Sequence, residues 1–375
     1  MQAEAGRPIL VIGGGIGGLT AAIALAARGF AVEVIERDPT WSVYGVGIIQ
    51  QGNVVRAMAE LGLINDYLDA GFGFDRVEIC VPTGQVVATV PTPRLVEGLP
   101  ANVGIGRRAL QKVLGDRARA AGATIRLGVT ADALDDDGAG VSVRFSDGSE
   151  VRYAFVVAAD GLYSQTRAAL LPDAPSPEFT GQAVWRYNFP RPPEVAGLRV
   201  FNGPIGVGLV PLSDALMYMY VTTPEPGNPR YEREGLAAVM RAKLAGVPAP
   251  MIQALAEQIV DDEEVVYKPL EWLFVDGPWH KGRVVLLGDA VHATTPHLGQ
   301  GAGMAIEDAI VLADEVSRDD PVEAAFERYR ARRFDRCRYI VDASRAICLG
   351  QLGLGPLVEN AVATREMFHR VSEPI

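Results

Sequence analysis

The sequence predicts an α/β protein in which a Rossmann-like GxGxxG dinucleotide-binding domain is interleaved with a smaller antiparallel-sheet domain and followed by a C-terminal helical segment. Three observations predict it. Residues 8–13, Pro-Ile-Leu-Val-Ile-Gly, run apolar into glycine and then into an alanine- and leucine-rich stretch, the layout of a strand buried on both faces that feeds a helix. Two later apolar runs end in Asp160-Gly161 and Gly288-Asp289. Residues 181–223, between them, alternate apolar and polar with Pro and Gly punctuation, as antiparallel strands do.

Taken in order, the opening is a βαβ unit. Leu19 to Ala27 reads as helix and Ala31 to Ile35, after Gly29, as a second strand reached by a right-handed crossover. Val77 to Val90 reads as a hairpin over Pro82-Thr83-Gly84. A helix over Arg108 to Ala121, a strand near Thr124 to Leu127, a hairpin turning at Asp147-Gly148 and a strand over Phe155 to Ala159 return to the first domain. Residues 231–260 carry helical periodicity, Arg283 to Leu287 is one more buried strand, and the texture is helical from Met304 to about Leu349. The last 25 residues are a Gly-interrupted amphipathic tail with no assigned structure. The expected division is therefore discontinuous: 1–75, 101–175 and 271–340 for the nucleotide domain, 76–100 and 176–270 for the second domain, and 341–375 for a C-terminal helical tail.

A chain of 375 residues with 49% hydrophobic and 22% charged residues has the balance of a globular protein with room for a buried ligand. Its 46 acidic and 35 basic residues give a formal charge of −11, which disfavours nucleic acid and anionic membrane surfaces as partners. Small molecules are the expected partners, with the chain a monomer or homodimer. Cys80, Cys337 and Cys348 are odd in number and lack CxxC spacing, so neither a disulfide framework nor a metal site is expected. Gln2, Glu4 and Arg7 lead directly toward a strand without a signal-peptide layout. No apolar run approaches the ~20 residues of a membrane span, so the expected location is cytoplasmic.

Gly13, Gly15 and Gly18 supply GxGxxG between strand and helix, and Glu36 ends the next strand near the ~20-residue offset of a ribose-binding acid. Gly13 permits the tight turn, Gly15 lets backbone approach a pyrophosphate at the helix N-terminus, and Gly18 allows close packing. Arg37 and Val129 are counted with the cofactor-binding residues. That motif does not choose between FAD and NAD, but two later segments do. Asp160 and Asp289 both sit at carboxyl ends of strands, where α/β sheets bind ligands. Asp289 is placed to accept a hydrogen bond from a ribityl hydroxyl. Gly299, Gly301, Ala302 and Gly303 open a helix whose N-terminal amides can face a flavin and stabilise its anionic reduced form. An Asp turn that merely caps a helix is the plainer alternative.

These residues resemble the class A flavoprotein monooxygenases, the para-hydroxybenzoate hydroxylase group, from residue 8 to about 340. The family's DG segment matches Asp160-Gly161 with Ser164 and Arg167, and its GD segment matches Gly288-Asp289. Its R-x-x-L element looks like Arg107 to Leu110, and Gly45-Val46-Gly47-Ile48 followed by Asn53 is similar to its GxGI…N element beside the flavin. One departure is Gly303, where the family often has asparagine. The resemblance implies FAD as cofactor, NADH or NADPH as transient co-substrate, dioxygen as oxidant, and hydroxylation of a small phenolic aromatic or heteroaromatic through a flavin C4a-hydroperoxide. Another flavin oxidoreductase of this fold, a dehydrogenase or reductase, and a non-catalytic FAD-binding sensor are the alternatives.

The resemblance also sets Pro296 beside the reactive edge of the flavin and places His297 directly after it. A near-neutral His297 would take a proton from a substrate hydroxyl, or it simply bonds a loop carbonyl. Salicylate hydroxylases look similar at this position, and urate hydroxylases resemble an acidic residue there. His292 is read as structural. Arg186 resembles a family arginine near substrate or flavin, with a solvated strand arginine as the alternative. Tyr218 and Tyr220 share one face of a strand and either wall the pocket or pack in the core.

Overall fold

A computed structural model describes residues 7–375 apart from 44, 202 and 204; Gln2 and Glu4 lie outside the described residues. Its centre is a six-stranded sheet in the order His280–Lys281, Val284–Leu286, Val156–Ala158, Ile9–Ile12, Val32–Glu36 and Thr124–Leu127. Four of its strand pairs are parallel and only the edge strand His280–Lys281 runs antiparallel. Alternate residues of the first strand enter different cores. Ile9 and Val11 meet a helical layer that includes Leu19, Leu110 and Ile306, whereas Leu10 packs with Val141, Val143 and Phe145 of a three-stranded sheet on the other face. Burial on both faces is why the run is continuously apolar.

The expected βαβ unit forms, with the helix at Ile16–Ala26. The hairpins at 76–91 and 141–153 also form. Other elements differ in extent. The 231–260 stretch is two helices, Leu236–Leu244 and Pro250–Ala256, because Gly246 and Pro248 fall between them. The long C-terminal helical stretch is likewise two, Gly301–Val316 and Val322–Gln351, parted before Pro321. The tail carries a further helix, Asn360–Ser372.

A three-stranded sheet of Gly47–Gln51, Asn102–Gly106 and Gly71–Phe74 was not anticipated. Its glycines hide the strand signal but serve contact. A Cβ on Gly104 would lie 1.9 Å from the carbonyl oxygen of Pro211, so only glycine lets this sheet press against the seven-stranded antiparallel-rich sheet. That larger sheet has the order 266–272, 178–190, 216–224, 206–211, 198–201, 76–80 and 86–91. Its far face packs on the two helices at 236–256 through Trp185, Met219 and Met240, and its near face meets the three-stranded sheet, where Gly47 lies against Leu212 and Tyr218.

Beneath the central sheet lies a buried ion network. Asp308 accepts from the Gly288 amide (3.1 Å), the His292 Nε2 (2.6 Å) and the Arg333 Nε (2.8 Å). Arg333 also meets Glu307 at 2.7 Å. All four side chains are at most 1% exposed. Burial alone would raise the Asp308 pKa and lower that of His292, but the imidazolium and guanidinium hold Asp308 down at about 2, and Asp308 keeps His292 well above its usual range. Arg333→Met removes one of two cations from each of Glu307, which keeps Arg336, and Asp308, which keeps His292; breaking a buried pair typically costs about 3–5 kcal/mol. Urea unfolding of the variant should show a loss of that order, and a loss under about 1 kcal/mol would mean the network is solvated.

Candidate active site

The glycine turn is built on steric grounds. Gly13 has φ +107°, and a Cβ there would lie 2.4 Å from the Ala159 carbonyl oxygen. Gly18 brings its helix onto the strand, since a Cβ there would lie 1.9 Å from the Gly13 carbonyl oxygen. Gly15 differs, because a Cβ would meet nothing within 4 Å. Its backbone faces open space at the start of the helix Ile16–Ala26, whose first turn has no acidic side chain. The result is a bare amide end suited to an anion.

Glu36 accepts from the amides of Gly14 and Asp38, each at 2.9 Å, and so fixes this loop. The Gly14 carbonyl is held in turn by Trp41 Nε1 at 2.9 Å and Gln111 Nε2 at 2.6 Å. Neither residue was anticipated: a single Trp or Gln has no spacing signature, and only the three-dimensional turn gathers them.

A cavity of about 1330 Å³ runs from Gly15 and Glu36 past Arg107 and Asp289 to Pro296 and His297, and on to Arg186, Tyr218 and Tyr220. Gly47, Gly299, Gly301 and Ala302 line it as well. Gly13, Gly18, Arg37, Val129 and Asp160 lie off its wall. Asp160 instead accepts from Ser164 Oγ (2.5 Å) and the Thr166 amide (3.1 Å). Arg167, in the same segment, donates to the Ala290 carbonyl at 3.0 Å. The DG segment therefore braces the short helix Asp289–His292 from behind.

The loop 296–301 is clamped from the other side. Gln51 Nε2 donates to the Leu298 carbonyl (3.0 Å), Gln300 Nε2 donates to Gln51 Oε1 (2.8 Å), and Asn53 Nδ2 donates to Gln300 Oε1 (3.0 Å). A side chain at 303 has no place in this arrangement, because its Cβ would lie 2.7 Å from Gln300 Oε1 and 3.2 Å from Asn53 Nδ2. The glycine at 303 is thus matched to its neighbours.

Among the described residues, the guanidinium groups of Arg107 and Arg186 have no hydrogen-bond or ion-pair partner, although the Arg107 amide donates to the Val46 carbonyl at 3.2 Å. Burial lowers both, and the like charge of Arg107 helps bring Arg186 down to about 10. Burial raises Tyr218 and Tyr220, whose rings stand 6.3 Å apart, and raises Asp289 against the pull of His292 and Arg107. Two unpaired cations beside a cavity favour anionic groups in it. Tyr218 serves as both wall and core, lining the cavity and packing on Val46, Val210 and Leu212.

His297 departs from the near-neutral expectation. Its Nδ1 lies 2.9 Å from Thr295 Oγ1 and its Nε2 lies 3.2 Å from Gln351 Oε1. Burial brings its pKa down to about 4, with Gln351 opposing. The ring is neutral at ordinary pH with both nitrogens engaged. Gln351, from the helix Val322–Gln351, and Arg365 and Phe368, from the tail helix Asn360–Ser372, also line the cavity. The unassigned tail is therefore part of the site.

Residues 7–344 match the family described as FAD binding domain. The chain belongs to the class A flavoprotein monooxygenases. It is 31% identical to the aurachin C monooxygenase/isomerase of Stigmatella aurantiaca, over 98% of this chain and 95% of that one. It is 30% identical to an FAD-dependent urate hydroxylase of Klebsiella pneumoniae, over 90% and 89%. The solved structure of Klebsiella pneumoniae HpxO complexed with FAD and uric acid superposes with a TM-score of 0.84 at 28% identity, covering 99% and 94% of the two chains.

The cavity fits the family's cofactor. The bare amides at Gly15 and the unpaired Arg107 suit a pyrophosphate, Asp289 suits a polyol, and the loop 296–301 presents backbone to a ring. Gly15→Ala should leave the melting temperature of the apoprotein within about 2 °C of wild type, since its methyl meets no protein atom, yet weaken FAD binding at least about tenfold in a fluorescence titration. Unchanged affinity would place the pyrophosphate elsewhere. His297 yields a second prediction. Its folded-state pKa lies below the unfolded value, so the unfolded chain binds the extra proton and stability falls as pH drops from about 6.5 to about 4. His297→Gln should flatten that part of the melting-temperature profile; an unchanged slope would show the ring to be solvated.

Proposed function

We propose that this monooxygenase uses NADH or NADPH and dioxygen to hydroxylate a small phenolic aromatic or heteroaromatic, held between Arg186 and the loop Pro296–Gly301. The observation that carries this reading is the unpaired Arg186, at the centre of the strand Glu178–Pro190 and paired in register with Tyr220, in one cavity with the cofactor loop. Residues 1–75, 101–175 and 271–340 hold the cofactor in this reading, and 76–100 and 176–270 roof the substrate. FAD bound there would accept hydride from the nicotinamide and, with dioxygen, supply an electrophilic oxygen atom.

The chain's own groups then select and ready the ring. An electrophilic oxygen needs an electron-rich carbon, and a phenolate supplies one. Arg186 lies where it lowers the phenol pKa through its charge. A His297 whose conjugate acid titrates near 4 is a poor acceptor for a phenolic proton that titrates near ~10, so its part is to orient the substrate oxygen by hydrogen bonding in exchange for Thr295 or Gln351. Tyr218 and Tyr220 flank the ring and exclude water, which protects the oxidant from wasteful release of peroxide.

Reduced-nicotinamide oxidation should be slow alone and accelerate at least about tenfold with a matching phenol. Labelled dioxygen should deliver one oxygen atom to the product. Arg186→Gln should raise KM and the peroxide fraction without loss of FAD, with a rate cost of about 10² or more. Stimulated oxidation with no label in any product would instead mark a dehydrogenase or reductase.

A further inference from the structure

The near face of the seven-stranded sheet is divided into two chemically distinct halves. Cross-strand register sets Arg186 opposite Tyr220, Tyr220 opposite Gly208, Gly208 opposite Val200, and Val200 opposite Ile79. Tyr218 stands opposite Val210, Leu198 packs beside that pair, and from Leu198 the register runs to Val77 and Val90. Strand pairs set such neighbours on one face. The Arg186 end is cationic and phenolic. Beyond Tyr220 the rows offer only aliphatic side chains or glycine.

Val210 is buried in a core cluster with Tyr218, whereas the aliphatic groups beyond it line the cavity. Leu198, Val200, Val77 and Ile79 are only partly buried, Val90 is 38% exposed, and all five line the same cavity as Arg186 and Pro296. Gly208 keeps that path open. A Cβ there would lie 2.1 Å from the ring of Tyr220, so the missing side chain lets Tyr220 lie down on the sheet. A recumbent ring forms floor where an upright one would form a wall. Three strand spacings of ~4.8 Å carry this floor about 14 Å from Tyr220 to Ile79, well beyond a single ring.

We infer that the substrate is amphipathic: a phenolic ring held at Arg186 that bears an apolar extension, a second carbocycle or an alkyl chain of several carbons, lying over Val200 and Ile79. This rests on the hydroxylase reading and names its substrate class. A polar molecule of one ring would leave the aliphatic half in contact with water. Each buried methylene, by contrast, gains transfer free energy. Arg186 sets which end faces the cofactor loop, and the aliphatic floor supplies most of the affinity.

The test uses the FAD-loaded protein and 4-alkylphenols from methyl to heptyl. Calorimetry without nicotinamide gives dissociation constants, and nicotinamide oxidation gives KM and kcat. Affinity should tighten by about three- to fourfold per added methylene, with KM following and kcat nearly constant. Val200→Asp should abolish the dependence on length yet leave phenol and 4-methylphenol binding within about twofold; Ile79→Asp should act only on the longer chains. The wild-type series decides the matter even if these variants fold poorly. Dissociation constants that do not change with length would overturn the inference, as would a Val200→Asp loss equal for short and long phenols. Hydroxylation of short phenols with no length dependence removes the inference alone. Length-dependent binding with no oxygen transferred to any phenol removes the hydroxylase reading alone.

Discussion

Asp308 is the carboxylate on which the active-site architecture depends. It is fully buried and holds the Gly288 amide at the start of the helix Asp289–His292. It also holds His292 at the end of that helix and Arg333 of the C-terminal helix. A buried charge is tolerable only when it is paired and hydrogen-bonded. Here that requirement brings three segments distant in sequence to one point directly behind the cofactor loop. Glu307, the neighbouring residue, extends the same network to Asn53 at 3.1 Å. Asn53 in turn holds Gln300 in the loop that lines the cavity. The front of the site is backbone, and the back is a buried lattice of charges that keeps the backbone in place.

That arrangement explains how a protein with few catalytic side chains performs demanding chemistry. The cofactor carries the redox step, and the chain contributes position, charge and exclusion of water. Glycine does the first at 13, 15 and 18. In the proposed function Arg107 and Arg186, half-buried on the cavity wall, do the second. Because both face the cavity, an anion bound there would meet them directly. The tail helix Asn360–Ser372 contributes to the third, held by Arg56 and Arg336 through the carbonyls of Ser372 (3.0 Å) and Pro374 (2.8 Å).

Local steric rules were the most legible part of the sequence. Gly13, Gly18 and the flanking strand and helix follow from contacts between near neighbours, and the structure has them as read. Asp289, Pro296 and Arg186 were likewise found on the cavity wall. Asp160 was legible as a strand-end acid but not as a brace, since that distinction depends on Ser164 and Thr166 closing on it. His297 was legible as a histidine in the right loop, whereas its pKa depends on burial and on Gln351, more than 50 residues away. The sheet formed by 47–51, 71–74 and 102–106 was hidden because its glycines carry no β signal. The aliphatic floor was hidden more deeply, as Val77, Leu198 and Val200 become neighbours only through strand register.

In the proposed function the charge of Arg186 readies the substrate by ionising it in place, without a strong base. Absorbance titration of 4-nitrophenol bound to the FAD-loaded protein tests this most directly. Binding should lower the ionisation midpoint by about one to three pH units, Arg186→Gln should return it to the free value, and His297→Gln should leave it lowered. A midpoint unaffected by Arg186→Gln, or restored by His297→Gln alone, would contradict it.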